Sequence, residues 1–173
     1  MNGTSTPMVW HYAPWTSLQA IAAAGSLRGT KSKATDKASL LWFSRNQHRE
    51  PTATKSIDTA HGVLQLTDEQ HLGLLGRARF GLPANDPRLL DFGNACLAAG
   101  FDRHARMEIE SLAKLKGADT QEWFATTAPV PLVALRFEVW ETWRSAPRDG
   151  RQGRTPQEAA NHLAQVRKNG GSI

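Results

Sequence analysis

The sequence predicts an α+β fold, in which short strands and short helices are interleaved. Two apolar runs, 8–12 and 40–44, have the length and composition of buried strands. Helices are marked by their boundaries: one ends at Gly25, and another begins after Asp102 and ends at Gly117. The chain contains no internal repeat, so we expect one domain followed by a modest helical tail.

The same signals predict the remaining elements. The spacing of Thr67 and Gln70 is that of a capping box at a helix start. We expect further strands at 77–82, 122–127 and 132–143, and helices at 17–24, 87–99, 103–116 and 155–168. The predicted domain covers residues 1–146, and residues 147–173 form a basic linker and a C-terminal helix.

Length and composition restrict the class of protein. The chain has 173 residues, of which 40% are hydrophobic, which is enough to bury a core. It has no run of about 18 apolar residues, so no membrane-spanning helix and no membrane partner are expected. Cys96 is the single cysteine, which excludes a disulfide within the chain. Since the N-terminus also lacks a secretory signal pattern, we expect a cytoplasmic protein.

The charge is distributed unevenly along the chain. Residues 28–55 carry seven basic and two acidic side chains, and residues 144–173 carry six basic and two acidic ones. The segment between them, 56–143, is net acidic, with eight basic and twelve acidic side chains. Clustered positive charge attracts phosphate groups of nucleotides or nucleic acids, although a solvated loop and tail would give the same pattern.

Most familiar catalytic signatures are missing. The sequence has no phosphate-binding P-loop, no G-x-G-x-x-G motif and no G-x-S-x-G motif. Its six histidines lack the spacing of metal ligands, so no metal is expected.

Three short segments carry polar groups that a simple core does not need. His11 and Tyr12 stand together at the end of the first apolar strand. The run 42–45, Trp-Phe-Ser-Arg, joins two large aromatics to a hydroxyl and a cation. Glu122 directly precedes Trp123 and Phe124 at a predicted strand entrance. Each segment has a structural explanation taken alone, but their order along the chain is distinctive.

This order resembles the ADP-ribosyltransferase superfamily of the diphtheria-toxin and PARP type, which is related to the DarT toxins and the RNA 2′-phosphotransferases. The first half of the pattern is Val9-Trp10-His11-Tyr12, a helix ending at Gly25, Leu27-Arg28, a variable loop and Leu41-Trp42-Phe43-Ser44. The second half is Glu122-Trp123-Phe124-Ala125-Thr126-Thr127, followed by Pro-Val-Pro and a hydrophobic strand. The resemblance implies a split antiparallel sheet with short flanking helices.

The resemblance also implies an activity. The chain would cleave NAD, used as a co-substrate without a metal, and transfer ADP-ribose to a nucleic acid or a protein. It further implies a role as a toxin or in phage–host conflict. Glu122 would be the catalytic carboxylate, and the Lys-rich loop 29–39 would cover the dinucleotide.

The resemblance gives the other site residues their expected roles. His11 would hydrogen-bond the adenosine ribose and orient the dinucleotide, as a second catalytic residue beside Glu122. Trp42, which stands where the family usually has Tyr, would pack on the nicotinamide ring. The remaining expected contacts to NAD come from Tyr12, Phe43, Ser44 in the pocket wall and Arg45 at the pyrophosphate.

Several alternatives remain open from the sequence. Glu138, on another predicted strand, is the second candidate for the catalytic carboxylate. An RNA 2′-phosphotransferase-like enzyme would use the same pocket. A non-catalytic module that binds nucleic acid or protein would keep the fold without the chemistry.

Overall fold

A computed structural model describes residues 7–29, 38–54, 56–60, 62–140 and 161. Within these ranges the chain is a mixture of helices and antiparallel sheet, so the predicted α+β class is confirmed. Most of the Lys-rich loop, the predicted domain end at residue 146 and the predicted C-terminal helix, apart from Asn161, lie outside the described residues.

The described part contains strands, helices and three short 3-10 turns. The strands are β1 (Met8–Ala13), β2 (Ser26–Leu27), β3 (Leu41–Ser44), β4 (Ser56–Thr59), β5 (Gly62–Gln65), β6 (Arg77–Pro83), β7 (Leu90–Asp91), β8 (Trp123–Thr126), β9 (Val130–Pro131) and β10 (Arg136–Trp140). The helices are α1 (Leu18–Ala24), α2 (Asp68–Leu75), α3 (Phe92–Ala98) and α4 (Arg103–Leu115). The 3-10 turns are Trp15–Ser17, Thr120–Glu122 and Leu132–Ala134. None of the helices in the described ranges is long and apolar enough to cross a membrane.

The chain divides into two compact units. The first comprises Met1–His11, Ser26–Thr52 and Gly81–Arg136, and the second comprises Tyr12–Gly25, Ala53–Phe80 and Phe137–Ile173. Strands β1 and β6 contribute residues to both units.

The first unit is built on an antiparallel sheet with the strand order β6-β1-β3-β8-β7. Its register aligns Trp10 with Ser44, and Ser44 with Trp123. The short edge strand β7 leads directly into α3, and the strands β2 and β9 form a separate pair. Buried apolar side chains fill the core, among them Val9, Trp10, Leu41, Phe43 and Ala125.

The second unit contains α1, the β4–β5 hairpin, α2 and the pair of β6 with β10. The Trp15 indole N–H donates to the Arg77 carbonyl over 2.7 Å, which ties the start of α1 to β6. The rings of Phe80 and Phe137 lie 5.0 Å apart. Aromatic packing between the two strands therefore accompanies their hydrogen bonds.

Most predicted boundaries agree with the structure. The capping box before α2 is confirmed, because the Thr67 N–H donates to Gln70 Oε1 and the Gln70 N–H donates to Thr67 Oγ1. The helix predicted over 87–99 is wrong at its start, since Leu90–Asp91 form β7 and Asp91 then caps α3. The strand predicted over 132–143 begins only at Arg136, because a 3-10 turn starts after Pro131.

Candidate functional site

The centre of the first unit's sheet carries different side chains on its two faces. Side chains alternate along a strand, and residues paired across antiparallel strands share a face. Phe43 pairs with Phe124, and His11 packs against Phe43; we call this side the His11 face. The other side, the Trp42 face, carries the side chains of Trp10, Trp42 and Trp123.

His11 is held in place by β3. Its ring lies 6.0 Å from the Phe43 ring in an edge-to-face arrangement, and its Nδ1 lies 2.9 Å from the Trp42 carbonyl oxygen. Because a carbonyl only accepts, Nδ1 carries the hydrogen in the neutral ring, and Nε2 is the acceptor nitrogen. His11 is half-buried, while Phe43 is almost completely buried beneath it. The imidazole is therefore held in a defined orientation above an apolar residue.

Arg45 and Glu122 lie together at the end of this face. The Arg45 N–H donates to the Glu122 carbonyl over 2.9 Å, which extends the β3–β8 ladder by one residue pair. The Arg45 guanidinium lies over the Phe124 ring, 4.8 Å from its centre, so this side chain is on the His11 face. Glu122 is the residue directly before β8, and both charged residues are exposed.

Glu122 closes a short turn rather than opening the strand. The 3-10 turn Thr120–Glu122 is capped by Asp119, whose carboxylate accepts from the Gln121 N–H over 2.9 Å. The sequence predicted a strand from residue 122, but β8 begins at Trp123. A carboxylate at the end of a capped turn has a defined backbone position and an exposed side chain.

The Trp42 face forms a separate aromatic cluster. The ring centres of Trp42, Phe92 and Trp123 lie 5.9 to 6.0 Å from one another. The resemblance expects Trp42 in one pocket with His11, but strand alternation puts these two side chains on opposite faces. Phe43 is instead the aromatic residue of β3 that contacts His11.

Ser44, a further expected site residue, belongs to the Trp42 face by register. The Ser44 side chain is buried, and its Oγ accepts from the Asn46 N–H, so it shapes the turn after β3. Tyr12 belongs to the second unit.

Glu138 is engaged elsewhere. Its carboxylate accepts a hydrogen bond from the Arg79 guanidinium over 2.7 Å, and both residues belong to the second unit. The ion pair leaves both side chains mostly covered, whereas Glu122 is exposed. Of the two candidate carboxylates, Glu122 is therefore the more accessible to solvent.

A cleft of about 720 Å³ lies beside the turn that ends at Glu122. Its walls come from α3, α4 and this turn, and they include Asp91, Glu110, Lys114 and Asp119. The three carboxylates against one ammonium make this wall acidic. Sequence reasoning missed the cleft, because the residues that line it are brought together only by the packing of α4 against α3 and the turn.

The groups at this site have distinct hydrogen-bonding capacities. An imidazole nitrogen and a carboxylate accept hydrogen bonds from hydroxyl groups, and a guanidinium donates to anionic oxygens. Within the described ranges no three His, Cys, Asp or Glu side chains gather in a way that could hold a metal ion.

Comparisons with protein-family models, with curated proteins and with solved structures find no match for this chain. Fold and site define an α+β protein with an imidazole and a guanidinium on one face of an antiparallel sheet and an exposed carboxylate residue at the end of that face.

Proposed function

We propose that this protein is a mono-ADP-ribosyltransferase that cleaves NAD at the nicotinamide–ribose bond and transfers ADP-ribose to a nucleic acid or a protein. The proposal includes the corresponding split-sheet fold. One observation carries it: His11, Phe43 and Arg45 share one face of the β1–β3–β8 sheet, and Glu122 lies at the end of this face, where its carbonyl accepts from the Arg45 N–H.

The spacing of these groups suits one extended ligand. His11 and Glu122 are separated by two strand spacings, about 10 Å, and are also offset along the strands. Over such a span the imidazole and the carboxylate act on different parts of a ligand and do not bond each other. His11 Nε2 accepts from the adenosine ribose, Arg45 neutralises the pyrophosphate, and Glu122 binds the nicotinamide ribose.

The reaction requires electrostatic stabilisation of positive charge at the ribose carbon that is bonded to nicotinamide. When the bond from the ribose carbon to the nicotinamide nitrogen breaks, its electron pair neutralises the pyridinium, and positive charge develops on the ribose. The Glu122 carboxylate stabilises that charge through the ribose hydroxyl or by accepting the proton of the incoming nucleophile. The acceptor then bonds to the ribose carbon, and its proton is released.

The direct test is nicotinamide release from NAD, with cell extract treated with nuclease or with protease as the source of acceptor. The wild type is compared with Glu122→Gln, and Glu138→Gln serves as the matched carboxylate-to-amide control. We expect release to depend on one class of acceptor and to fall at least 100-fold in Glu122→Gln, since a transition-state charge interaction is lost. Glu138→Gln is expected to retain activity in proportion to its folded fraction.

Three outcomes would contradict the proposal. Loss of release only in Glu138→Gln would transfer the catalytic role to Glu138. Release that persists in Glu122→Gln, at equal thermal stability, would remove the carboxylate from the mechanism. No release under any condition, with no thermal stabilisation by NAD, would favour a non-catalytic module.

A further inference from the structure

We infer that Glu50 is a positioning residue that holds the Arg45–Glu122 pair in place from the opposite face of the sheet. The inference rests on the proposed function, because it assumes that Arg45 and Glu122 act at the bond that is cleaved. The side chain of Glu50 belongs to a hydrogen-bond network that the sequence pattern did not indicate.

Glu50 is a buried carboxylate whose two oxygens are both engaged. Its side chain belongs to a residue that is only 9% exposed. Oε1 accepts from the Thr52 N–H over 3.2 Å and from the Thr52 hydroxyl over 2.7 Å, and Oε2 accepts from the Trp123 indole N–H over 3.1 Å. All three donors are neutral groups, so this carboxylate is desolvated without an ion pair among the described residues.

The network reaches Glu122 through its chain neighbour. Trp123 follows Glu122 directly, and its ring packs against Trp42 and Phe92 on the Trp42 face. The bond from Glu50 fixes the orientation of this indole. Trp123 is the first residue of β8, so its orientation determines the position of Glu122 at the end of the preceding turn.

Arg45 is anchored by the same segment. Gln47 Nε2 donates to the carbonyls of Arg45 and Met8 over 2.7 and 2.8 Å, and Gln47 Oε1 accepts from the Trp10 indole N–H over 2.8 Å. The segment 45–52 is therefore tied to β1 through Gln47 and to β8 through Glu50. Both strands flank β3, so the segment braces the Arg45–Glu122 pair from two sides.

Glutamine at position 50 would break this arrangement without changing side-chain size. Each oxygen of Glu50 faces a donor, so an amide group in either orientation turns one N–H toward another donor. We expect Glu50→Gln to loosen the Trp123 indole and the backbone bond between Arg45 and Glu122. Since His11 is untouched while the Arg45–Glu122 end loses its positioning, we expect kcat to fall about tenfold, with a smaller rise in KM for NAD because Arg45 also contacts the pyrophosphate.

The test compares the wild type with Glu50→Gln and with Glu108→Gln, an exposed carboxylate-to-amide control on α4. Two of the measurements do not depend on enzymatic activity. They are the NMR signal of the Trp123 indole N–H and the hydrogen-exchange rate of the Arg45 amide. The third readout is the split between kcat and KM for nicotinamide release.

The inference predicts that Glu50→Gln shifts the indole signal and speeds Arg45 amide exchange at least tenfold, while Glu108→Gln does neither. Unchanged Arg45 exchange in Glu50→Gln, or a loss confined to KM, would overturn it. If Glu50→Gln does not fold, hydrogen exchange is measured on the wild type instead. We then expect the Trp123 indole N–H and the Arg45 amide to exchange at similar rates, because one opening motion exposes both. An indole N–H that exchanges far faster than the Arg45 amide would show that the two groups are not coupled. A wild type that releases no nicotinamide, with Arg45 loosened in Glu50→Gln, would remove the proposed function and leave the positioning role standing.

Discussion

At the scale of single residues, strand alternation decides which side chains of β3 can act together. Trp42 and Phe43 are neighbours in the chain, yet one joins Phe92 and Trp123 while the other contacts His11. The hydrophobic run alone does not distinguish the two, because both aromatic side chains are suited to a buried strand. Only the register of β3 with β1 and β8 assigns each ring to a face.

Gly76 is a residue where a single methyl group would be costly. Its φ is +62°, and a Cβ at this position would lie 2.3 Å from the Trp15 ring. Gly25 is a matched control, because its φ is +64° and nothing lies within 4 Å of its Cβ position. We expect Gly76→Ala to lower the free energy of unfolding by about 3 kcal/mol and Gly25→Ala by about 1 kcal/mol.

Chemical denaturation of both glycine variants checks this expectation. Equal losses of unfolding free energy in the two variants would mean that only the left-handed backbone conformation is destabilising and that the Trp15 ring moves aside without an energetic penalty.

The buried thiol of Cys96 is expected to make the free energy of unfolding depend on pH. Burial raises the pKa of the Cys96 thiol, and the thiol is 1% exposed. In the unfolded chain a thiol ionises near pH 8.5 or so, and losing that proton stabilises the unfolded state. The contribution of Cys96 is therefore fully present below about pH 8 and is lost as the pH rises toward the raised native pKa.

Unfolding measured from pH 7 to pH 10 tests the cysteine, with Cys96→Ala as the reference. We expect the stability of the wild type relative to this variant to fall with rising pH. A constant difference between the two proteins would contradict a protonated, buried thiol.

At the scale of elements, helix caps explain which boundaries could be predicted. Asp102 was expected to cap α4, and its carboxylate accepts from the Ala105 N–H over 2.8 Å. Asp91 caps α3 in the same way. The sequence before it, from Pro87, is also compatible with a helix, so the cap was not recognised from the sequence. A cap is easily recognised only when the residues before it are not compatible with a helix.

The cap of α4 gives a testable stability effect. Asp102→Ala leaves a helical N–H without its acceptor and is expected to cost about 1 kcal/mol of unfolding free energy. Asp102→Asn keeps a side-chain acceptor and should cost much less. Thermal or chemical unfolding measures both variants, and an equal loss in the two would mean that charge, rather than the cap bond, stabilises this end.

At the scale of the whole molecule, strand order could not be predicted from the sequence. The chain reaches β8 only after about 80 residues beyond β3, yet the two strands pair directly. The two-residue strands β2, β7 and β9 are too short to leave a periodic signal. Local patterns therefore predicted the fold class and most elements, while long-range pairing determined the faces.

The candidate site shows the same limit. His11, Arg45 and Glu122 were chosen from residue type and order along the chain; the sheet brings His11 and Arg45 to one face, and a backbone bond holds Glu122 beside Arg45. Glu50 was not chosen, because a lone glutamate in a polar segment gives no signal. Its importance emerges only from burial and from its bond to Trp123.

A titration of the isotope-labelled protein with NAD, followed by amide NMR, tests whether the His11 face binds the dinucleotide. We expect the signals of His11, Phe43, Arg45 and Phe124 to move together and saturate, because these residues form the His11 face. Shifts concentrated on the Trp42 face, or an unchanged spectrum at millimolar NAD, would contradict it.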